Sequence, residues 1–333
     1  YRASSENPAE RRSAEEAFAQ SVLWGFDVTA ESGGRVLVDA TEFFLRDVLD
    51  LASRLKERDA NAFRREASRS ALLQDRSRNF ERNTEVEALL TFVTDKAGPQ
   101  VRSVAPDPTA VTVRIRHSLV ELPRLDEYRP REYDPRAGFF VGASFVDYST
   151  PIGESMRKMF IARHRLQKRD PSAAVSEPVQ PIVYYLDPGT PEPVRTALLE
   201  GARWWNKAFE AAGYRNAFRV EMLPGDADPL DLRYNVIQWV HRSTRGWSYG
   251  NSIVDPRTGE ILKGHVTLAS LRVRQDYLIA VGLLAPYVSG RPVKPEMERM
   301  ALARLRQLSA HEVGHTLGLQ HNWGSSYAYP VDS

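Results

Sequence analysis

The chain has 333 residues, of which 42% are hydrophobic and 26% charged, so it can bury a core and is not disordered throughout. Its 45 basic and 43 acidic residues leave a formal net charge of +2, which gives no electrostatic case for binding nucleic acid or a membrane surface. The longest apolar candidate, Tyr277 to Val288, falls short of the roughly 18 residues that a transmembrane helix needs. The sequence therefore predicts neither a nucleic-acid partner nor a transmembrane segment.

Cysteine is absent from the sequence. This excludes disulfide frameworks, thiol nucleophiles and cysteine-ligated zinc or iron–sulfur sites. Any transition-metal site has to use His, Asp, Glu or water. No signal-like stretch follows Tyr1, and we interpret that residue as a processing or cloning boundary.

Residue patterns in the first part of the chain predict short elements of both kinds. Helices are expected over Glu6–Gln20 and over Thr41–Leu55, the latter with Thr41 as its N-cap. Strands are expected where apolar and polar residues alternate, at Arg35–Asp39, Glu85–Thr94 and Ala110–Leu119.

Three further segments indicate how the chain is organised. Arg54–Arg82 is highly charged and is typical of exposed helix or loop, while proline-rich Leu122–Pro151 is expected to wrap over a surface. Pro171–Pro181, rich in proline, serine and alanine, is the best candidate for a domain boundary. We therefore expect an α+β accessory region at residues 1–175 and a second domain at 176–333.

The second part of the chain predicts one mixed sheet with helices packed on it. Five strands are expected, and the last two form a hairpin with its turn at Pro256–Gly259: Ile182–Leu186, Phe218–Leu223, Asn235–Val240, Ser252–Asp255 and Ile261–Leu268. Helices are expected over Pro191–Ala212, ending at Gly213, and over Pro295–Leu317. The predicted fold class is α+β.

The long C-terminal helix carries the residues that indicate chemistry. His311 and His315 are one helical turn apart, so both imidazoles can reach one ion, and Gly318 permits a sharp turn that returns His321 as a third ligand. Three imidazoles and one open position describe a catalytic zinc site. Glu312, beside His311, would accept a proton from a zinc-bound water attacking a carbonyl and return it to the leaving group.

The segment His311–His321 resembles the extended zinc signature of the metzincin metallopeptidases. The runs Phe160–Gly189, Pro181–Gly213 and Tyr234–Leu271 are likewise similar to a family of large bacterial zinc-dependent metalloproteases. This resemblance implies a zinc endopeptidase with a protein or peptide substrate, one catalytic zinc ion and an extracytoplasmic location. It also implies a methionine turn after the third histidine, whereas the last methionine is Met300, so we expect a chain cut short before that turn.

Two other functions stay open at this point. A non-catalytic binding or scaffold protein could keep zinc structurally, and a zinc amidohydrolase could act on a non-peptide amide. A fourth protein ligand at the metal would favour the scaffold, and an open position beside Glu312 would favour an enzyme.

Several other residues are assigned structural roles. For the remaining histidines we expect hydrogen bonds within the fold: His117, His164, His241 and His265. Of these, His241 and His265 are also candidates for a transition-state donor. Trp204 and Trp205 are expected in the core. Asp226, Asp228 and Asp231 favour a solvated loop over a calcium site, and one arm of the hairpin Ser252–Leu268 is expected to pair with substrate as an edge strand.

Overall fold

The computed structural model describes residues 1–59, 61–242, 247–284, 295–322 and 324–328. Contacts between Cα atoms divide the chain into one unit of residues 19–121 and another of residues 1–18 with 122–333. This division differs from the predicted one at residue 175, which stays a prediction. No helix among the described residues combines the length and apolar character needed to cross a membrane.

The unit of residues 19–121 contains a two-stranded ribbon and a three-stranded antiparallel sheet with short helices. Its elements are β1 (Val28–Ser32), β2 (Arg35–Val38), α2 (Thr41–Phe44), α3 (Leu51–Asp59), β3 (Arg64–Asn79), β4 (Asn83–Val93), α4 (Pro99–Val104) and β5 (Ala110–Val120). The predicted strands at the positions of β2, β4 and β5 are confirmed. The central strand β4 supplies Ala88, Leu90 and Phe92 to a buried cluster, as expected for a sheet with one covered face.

The single helix predicted over Thr41–Leu55 is wrong, because two short helices replace it. Asp50 adopts a left-handed φ of 51°, which a continuous helix cannot contain. The Asp47 carboxylate accepts hydrogen bonds from the backbone N–H groups of Leu51 and Ala52, at 2.8 and 2.9 Å, and so stabilises the start of the second helix. Thr41 is the first helical residue and not the N-cap, which is Ala40.

The prediction of exposed helix or loop over Arg54–Arg82 is wrong for most of that segment. Residues Arg64–Asn79 form the long edge strand β3, which pairs with β4 through two register shifts. The charged residues hide the strand pattern because most of them lie on exposed positions, while β4 provides the apolar face. Pairing with an apolar neighbour thus overrides the weak strand propensity of a charged sequence.

The second unit contains the remaining elements. They are α1 (Pro8–Glu16), β6 (Val141–Val146), β7 (Arg157–Ile161), β8 (Arg163–His164), β9 (Ile182–Leu186), α5 (Val194–Arg203), α6 (Trp205–Ala211), β10 (Phe218–Met222), β11 (Asn235–Val240), β12 (Tyr249–Val254), β13 (Glu260–Ala269), α7 (Leu271–Leu284), α8 (Pro295–Thr316) and α9 (Ser325–Ala328). The order confirms the predicted α+β class, with a long C-terminal helix packed on a mixed sheet. The predicted helix Pro191–Ala212 is present as two consecutive helices that meet at Trp204.

One sheet of this unit positions the C-terminal helix. Its strand order is β10-β9-β11-β13-β12, in which all pairs are parallel except the antiparallel pair of β13 and β12. Among the described strands, β12 therefore lies at one edge of the sheet, with β13 as its neighbour. The short strand β8 pairs in parallel with the first two residues of β13. The hairpin arm that could pair with an extended substrate is β12.

Helices α5 and α8 pack on this sheet around a shared apolar core. Fully buried Tyr184, Leu198 and Leu305 come from the sheet, α5 and α8 respectively. The two helices approach closely at Gly201, where a Cβ atom would collide with the backbone carbonyl oxygen of Arg306. Glycine permits this approach because it has no side chain, and the close packing of α5 against α8 fixes the position of α8 on the sheet.

Candidate metal centre

The last two turns of α8 and the turn after it bring three imidazoles together. His311 and His315 lie one helical turn apart, with their Nε2 atoms 3.1 Å apart. His321 reaches back from beyond the helix end, and its Nε2 lies 3.2 Å from the Nε2 atoms of both other rings. Among the described residues, these three form the group of His and acidic side chains that could hold a metal.

The geometry and protonation of these rings suit a small divalent ion. A tetrahedral zinc site with Zn–N bonds of about 2.0–2.1 Å has nitrogens about 3.3–3.4 Å apart, close to the separations found here. The Nδ1–H of His315 donates to the backbone carbonyl of Leu319 at 2.8 Å, which leaves Nε2 with its lone pair. Burial, with smaller effects of the two neighbouring imidazoles, lowers the pKa of His311 and favours its neutral, ligating form.

Glu312 follows the first histidine and is nearly enclosed by the protein. Its residue surface is 6% exposed, and this burial raises the pKa of its carboxyl group to about 6. Smaller opposing effects come from the backbone N–H of Gly250 on β12, which donates to the carboxylate, and from the charges of His321 and Arg272. A carboxyl group with this pKa can gain and lose a proton near neutral pH.

The turn that returns His321 depends on Gly318 and on a segment far away in the sequence. Gly318 has a φ of 99°, and a Cβ atom there would collide with the backbone carbonyl oxygen of Ala162. The Gly318 carbonyl accepts from the N–H of Phe140 at 2.7 Å, and the Gly138 carbonyl accepts from the N–H of Gln320 at 2.8 Å. We call residues 138–140 the strap, because they hold the turn through backbone pairing.

The strap also contacts a metal-site ring. The ring of Phe140 lies 5.7 Å from that of His315, measured between centroids. Its backbone carbonyl accepts from the N–H of Ala162 at 2.8 Å, so the strap is itself fixed between two segments. Sequence reasoning assigned the strap only to a surface-wrapping stretch; no local pattern indicates which backbone groups it pairs with.

A buried polar network makes hydrogen bonds with Thr316, the last residue of α8. Tyr184 on β9 donates its hydroxyl to the Thr316 hydroxyl at 2.8 Å, and the Nε2 of His164 lies 3.1 Å from the Thr316 carbonyl. Burial lowers the pKa of His164 to about 4, so the ring is neutral at physiological pH. His164 thus has the structural hydrogen bond expected of it, whereas Tyr184 and Thr316 were missed by sequence reasoning.

The other histidines lie outside the cluster. His117 contacts the Phe44 carbonyl at 2.9 Å, His241 the Ser270 hydroxyl at 2.9 Å, and His265 the Gln238 side-chain carbonyl at 3.0 Å. These contacts are the structural hydrogen bonds that were predicted. A role for His241 or His265 as a transition-state donor stays a prediction.

Two further expectations concern aromatic and acidic residues. Trp205 packs against the core and donates its indole N–H to the Ala310 carbonyl at 2.7 Å, but the prediction of a core position for Trp204 is wrong, since it is 48% exposed. Asp231 is not solvated, because it is buried and pairs with Arg233 at 2.6 Å.

An open cleft of about 420 Å³ gives access to the three imidazoles. The histidines and Trp205 line it, so a substrate group can approach the Nε2 atoms from solvent. The arrangement can therefore hold a metal ion with a face open to the cleft and a buried carboxyl group, Glu312, adjacent in the chain.

Comparison with known families agrees with this geometry. The model described as Met-zincin matches residues 293–333, which contain α8 and all three histidines. The model described as a domain of unknown function (DUF5117) matches residues 1–169. No curated protein and no solved structure gives a significant match. The DUF5117 model covers just over half of the chain, so the protein belongs to the DUF5117 family. Its C-terminal segment, with the cluster of His311, His315 and His321, is of metzincin type.

Proposed function

We propose that the protein is a zinc-dependent endopeptidase. The observation that carries the proposal is the convergence of the His311, His315 and His321 Nε2 atoms within 3.1–3.2 Å beside the buried Glu312. The Met-zincin match over this segment supports a metalloprotease-type function. The substrate would be a protein or peptide.

In the proposed mechanism, the three histidines would hold one zinc ion through their Nε2 atoms. The bound ion would supply Lewis acidity towards water and towards the scissile carbonyl. Glu312 accepts a proton from the attacking water and then donates it to the leaving amine. The pKa of about 6 that burial gives this carboxyl group suits both steps near neutral pH.

Edge strand β12 supports a peptide substrate over a small amide. Its outer side has no neighbour among the described strands, and an extended peptide could pair with it by strand addition. Gly250 on this strand lies against α8, because a Cβ atom there would collide with the Glu312 carbonyl oxygen. A peptide paired with β12 would therefore run past the Glu312 carboxylate and the imidazoles.

The two alternatives make different demands on the metal site. A structural zinc site is closed by four protein ligands. Within the described ranges, the metal-capable group consists of three histidines and has no fourth His, Asp or Glu, which favours an enzyme over a scaffold. An amidohydrolase of non-peptide substrates shares the metal chemistry, so substrate assays must distinguish it.

The test combines metal content with activity. Zinc per chain is measured by mass spectrometry for the wild type, Glu312→Gln and the matched control Glu298→Gln, an exposed glutamate on the same helix. We expect one zinc in all three proteins, and casein hydrolysis in the wild type and control that is lost in Glu312→Gln and on chelation.

Other outcomes separate the alternatives. One zinc per chain without hydrolysis of casein or peptides would favour the scaffold, or the amidohydrolase if a non-peptide amide is cleaved. Absence of zinc in the wild type would contradict the site. We also propose an extracytoplasmic location, for which the family resemblance is the support and cell fractionation the test.

A further inference from the structure

A second cleft lies beside Glu312 and is lined by two arginines, Arg272 and Arg304. Its volume is about 390 Å³, and its walls include Trp247, the start of α7 at Arg272, and the α8 residues Arg304, His311 and Glu312. His311, one of the three clustered imidazoles, lines both clefts, and Glu312 lines the second, so the second cleft adjoins the metal centre. A substrate residue next to the scissile bond would therefore enter this cleft.

The two arginines are held in place by one buried carboxylate. Asp276 on α7 is fully buried, and its oxygens accept from the Nε atoms of Arg272 at 3.0 Å and of Arg304 at 2.7 Å. Each guanidinium is thereby tethered through Nε, while its Nη atoms have no acceptor among the described residues. The side chains are 26% and 33% exposed, so these donors are accessible from the cleft.

The charges that line the cleft select the chemistry of its occupant. Two guanidinium groups and one carboxylate, Glu312, line the cleft, and Asp276, which pairs with both arginines through their Nε atoms, is not among the lining residues. A guanidinium with free Nη donors matches a planar carboxylate, which it can bind through two parallel hydrogen bonds. A lysine or arginine of the substrate offers only donors, and an apolar residue offers neither donors nor acceptors, so either would leave the Nη donors without acceptors.

We propose that this cleft binds a carboxylate of the substrate beside the scissile bond, so that the enzyme prefers acidic peptides; this rests on the proposed peptidase function. The carboxylate comes either from an Asp or Glu side chain or from the free C-terminus of a short peptide. Arg304 is the cleaner specificity determinant of the two arginines. Arg272 also acts electrostatically on Glu312, so its replacement would disturb the base as well.

The experiment uses quenched fluorescent peptides that differ only at the residue next to the cleaved bond, which is Glu, Gln or Lys. A second pair ends there with a free carboxylate or an amide. We expect kcat/KM to be about tenfold higher for the carboxylate-bearing peptides than for their neutral counterparts, from the usual strength of charge-assisted hydrogen bonds. The pair of peptides with the larger ratio of kcat/KM values identifies the source of the carboxylate.

Variants then assign the preference to Arg304. In Arg304→Gln the ratio of kcat/KM values for the pair of peptides that shows the preference should fall close to one. Arg304→Lys should keep part of the preference, because the charge remains. The matched control is Arg299→Gln, which removes the same charge from the same helix at a residue whose side chain is 71% exposed and pairs with Glu296. Circular dichroism spectra verify that each variant is folded.

Three results would overturn the inference: equal rates within both peptide pairs (Glu against Gln, and free carboxylate against amide), a preference that survives Arg304→Gln, or a preference that is equally lost in Arg299→Gln. If the wild type cleaves no peptide at all, the proposed function fails separately. Binding of the labelled Glu and Gln peptides to Glu312→Gln, measured by fluorescence anisotropy, then decides the carboxylate site without hydrolysis. The free-carboxylate and amide peptides are compared in the same way, and equal affinity within both pairs would contradict it.

Discussion

Replacing Gly318 by alanine tests the account of the turn that carries His321. The glycine has a φ of 99°, and a Cβ atom would collide with the Ala162 carbonyl oxygen and lie 3.5 Å from the ring of Phe139. The obstructing atom belongs to the backbone, so it cannot swing away as a flexible side chain would. The variant must therefore either shift the turn or separate it from residue 162.

The expected cost has two parts. A left-handed backbone costs a non-glycine residue about 1–2 kcal/mol. Forcing an extra methyl group into packed surroundings adds about 1–3 kcal/mol, which gives a total of about 2–5 kcal/mol. Gly138→Ala is the matched control, since Gly138 has a φ of 68° but open space around the position of its Cβ atom, and it should lose only the backbone part.

Urea unfolding followed by tryptophan fluorescence measures this difference, because five of the six tryptophans lie outside residues 19–121. Zinc titration provides a second measurement, since a shifted turn displaces His321 and lowers metal affinity. Equal losses of stability for Gly318→Ala and Gly138→Ala would refute the argument from the collision with Ala162. Unchanged zinc affinity in a destabilised Gly318→Ala variant would refute the link between the turn and the third imidazole.

Three further predictions concern the supports of the metal centre. Gly201→Ala should destabilise the protein by about 1–3 kcal/mol in urea unfolding, because its methyl group meets the Arg306 carbonyl; a loss no larger than that of an exposed helix substitution would contradict the close helix packing. Trp205→Phe should cost about 1–3 kcal/mol by leaving the Ala310 carbonyl without its indole donor, and a thermal melt like that of the wild type would speak against this hydrogen bond. The third prediction concerns His164, whose pKa is about 6.5 in the unfolded state and about 4 in the folded state. Between these pH values the unfolded state binds more protons, so the free energy of unfolding falls as the pH drops from 6.5 to 4, by up to about 3 kcal/mol at pH 4. His164→Gln should remove this part of the slope in unfolding experiments at pH 5 and 7.5, and an unchanged slope would show that the ring is not the group responsible.

Local sequence patterns were sufficient for many of the elements. The apolar runs at β9 and β11, the alternation in β5 and the hairpin turn ending at Gly259 gave strands close to those observed, because side-chain burial on a strand follows a two-residue period. The metal cluster was equally local. His311 and His315 share a face through helical spacing alone, and His321 is only six residues further on.

The errors have a common physical origin in contacts between distant segments. The charged stretch at β3 is a strand because β4 pairs with it, and the helix expected over Thr41–Leu55 is interrupted where Asp50 turns left-handed. Neither outcome follows from propensities, which are weak compared with the free energy of pairing and burial. Helix α7 and its buried Asp276 were not predicted at all.

The sequence by itself determined the candidate ligands, the candidate base and the long helix that carries them, because these depend on spacing along one segment. Only the tertiary structure decided which hairpin arm is the edge strand, how the strap holds the turn at Gly318, and that Asp276 tethers Arg272 and Arg304 beside Glu312. Those arrangements join residues far apart in the chain, and their stability comes from packing and hydrogen bonds that no local pattern encodes.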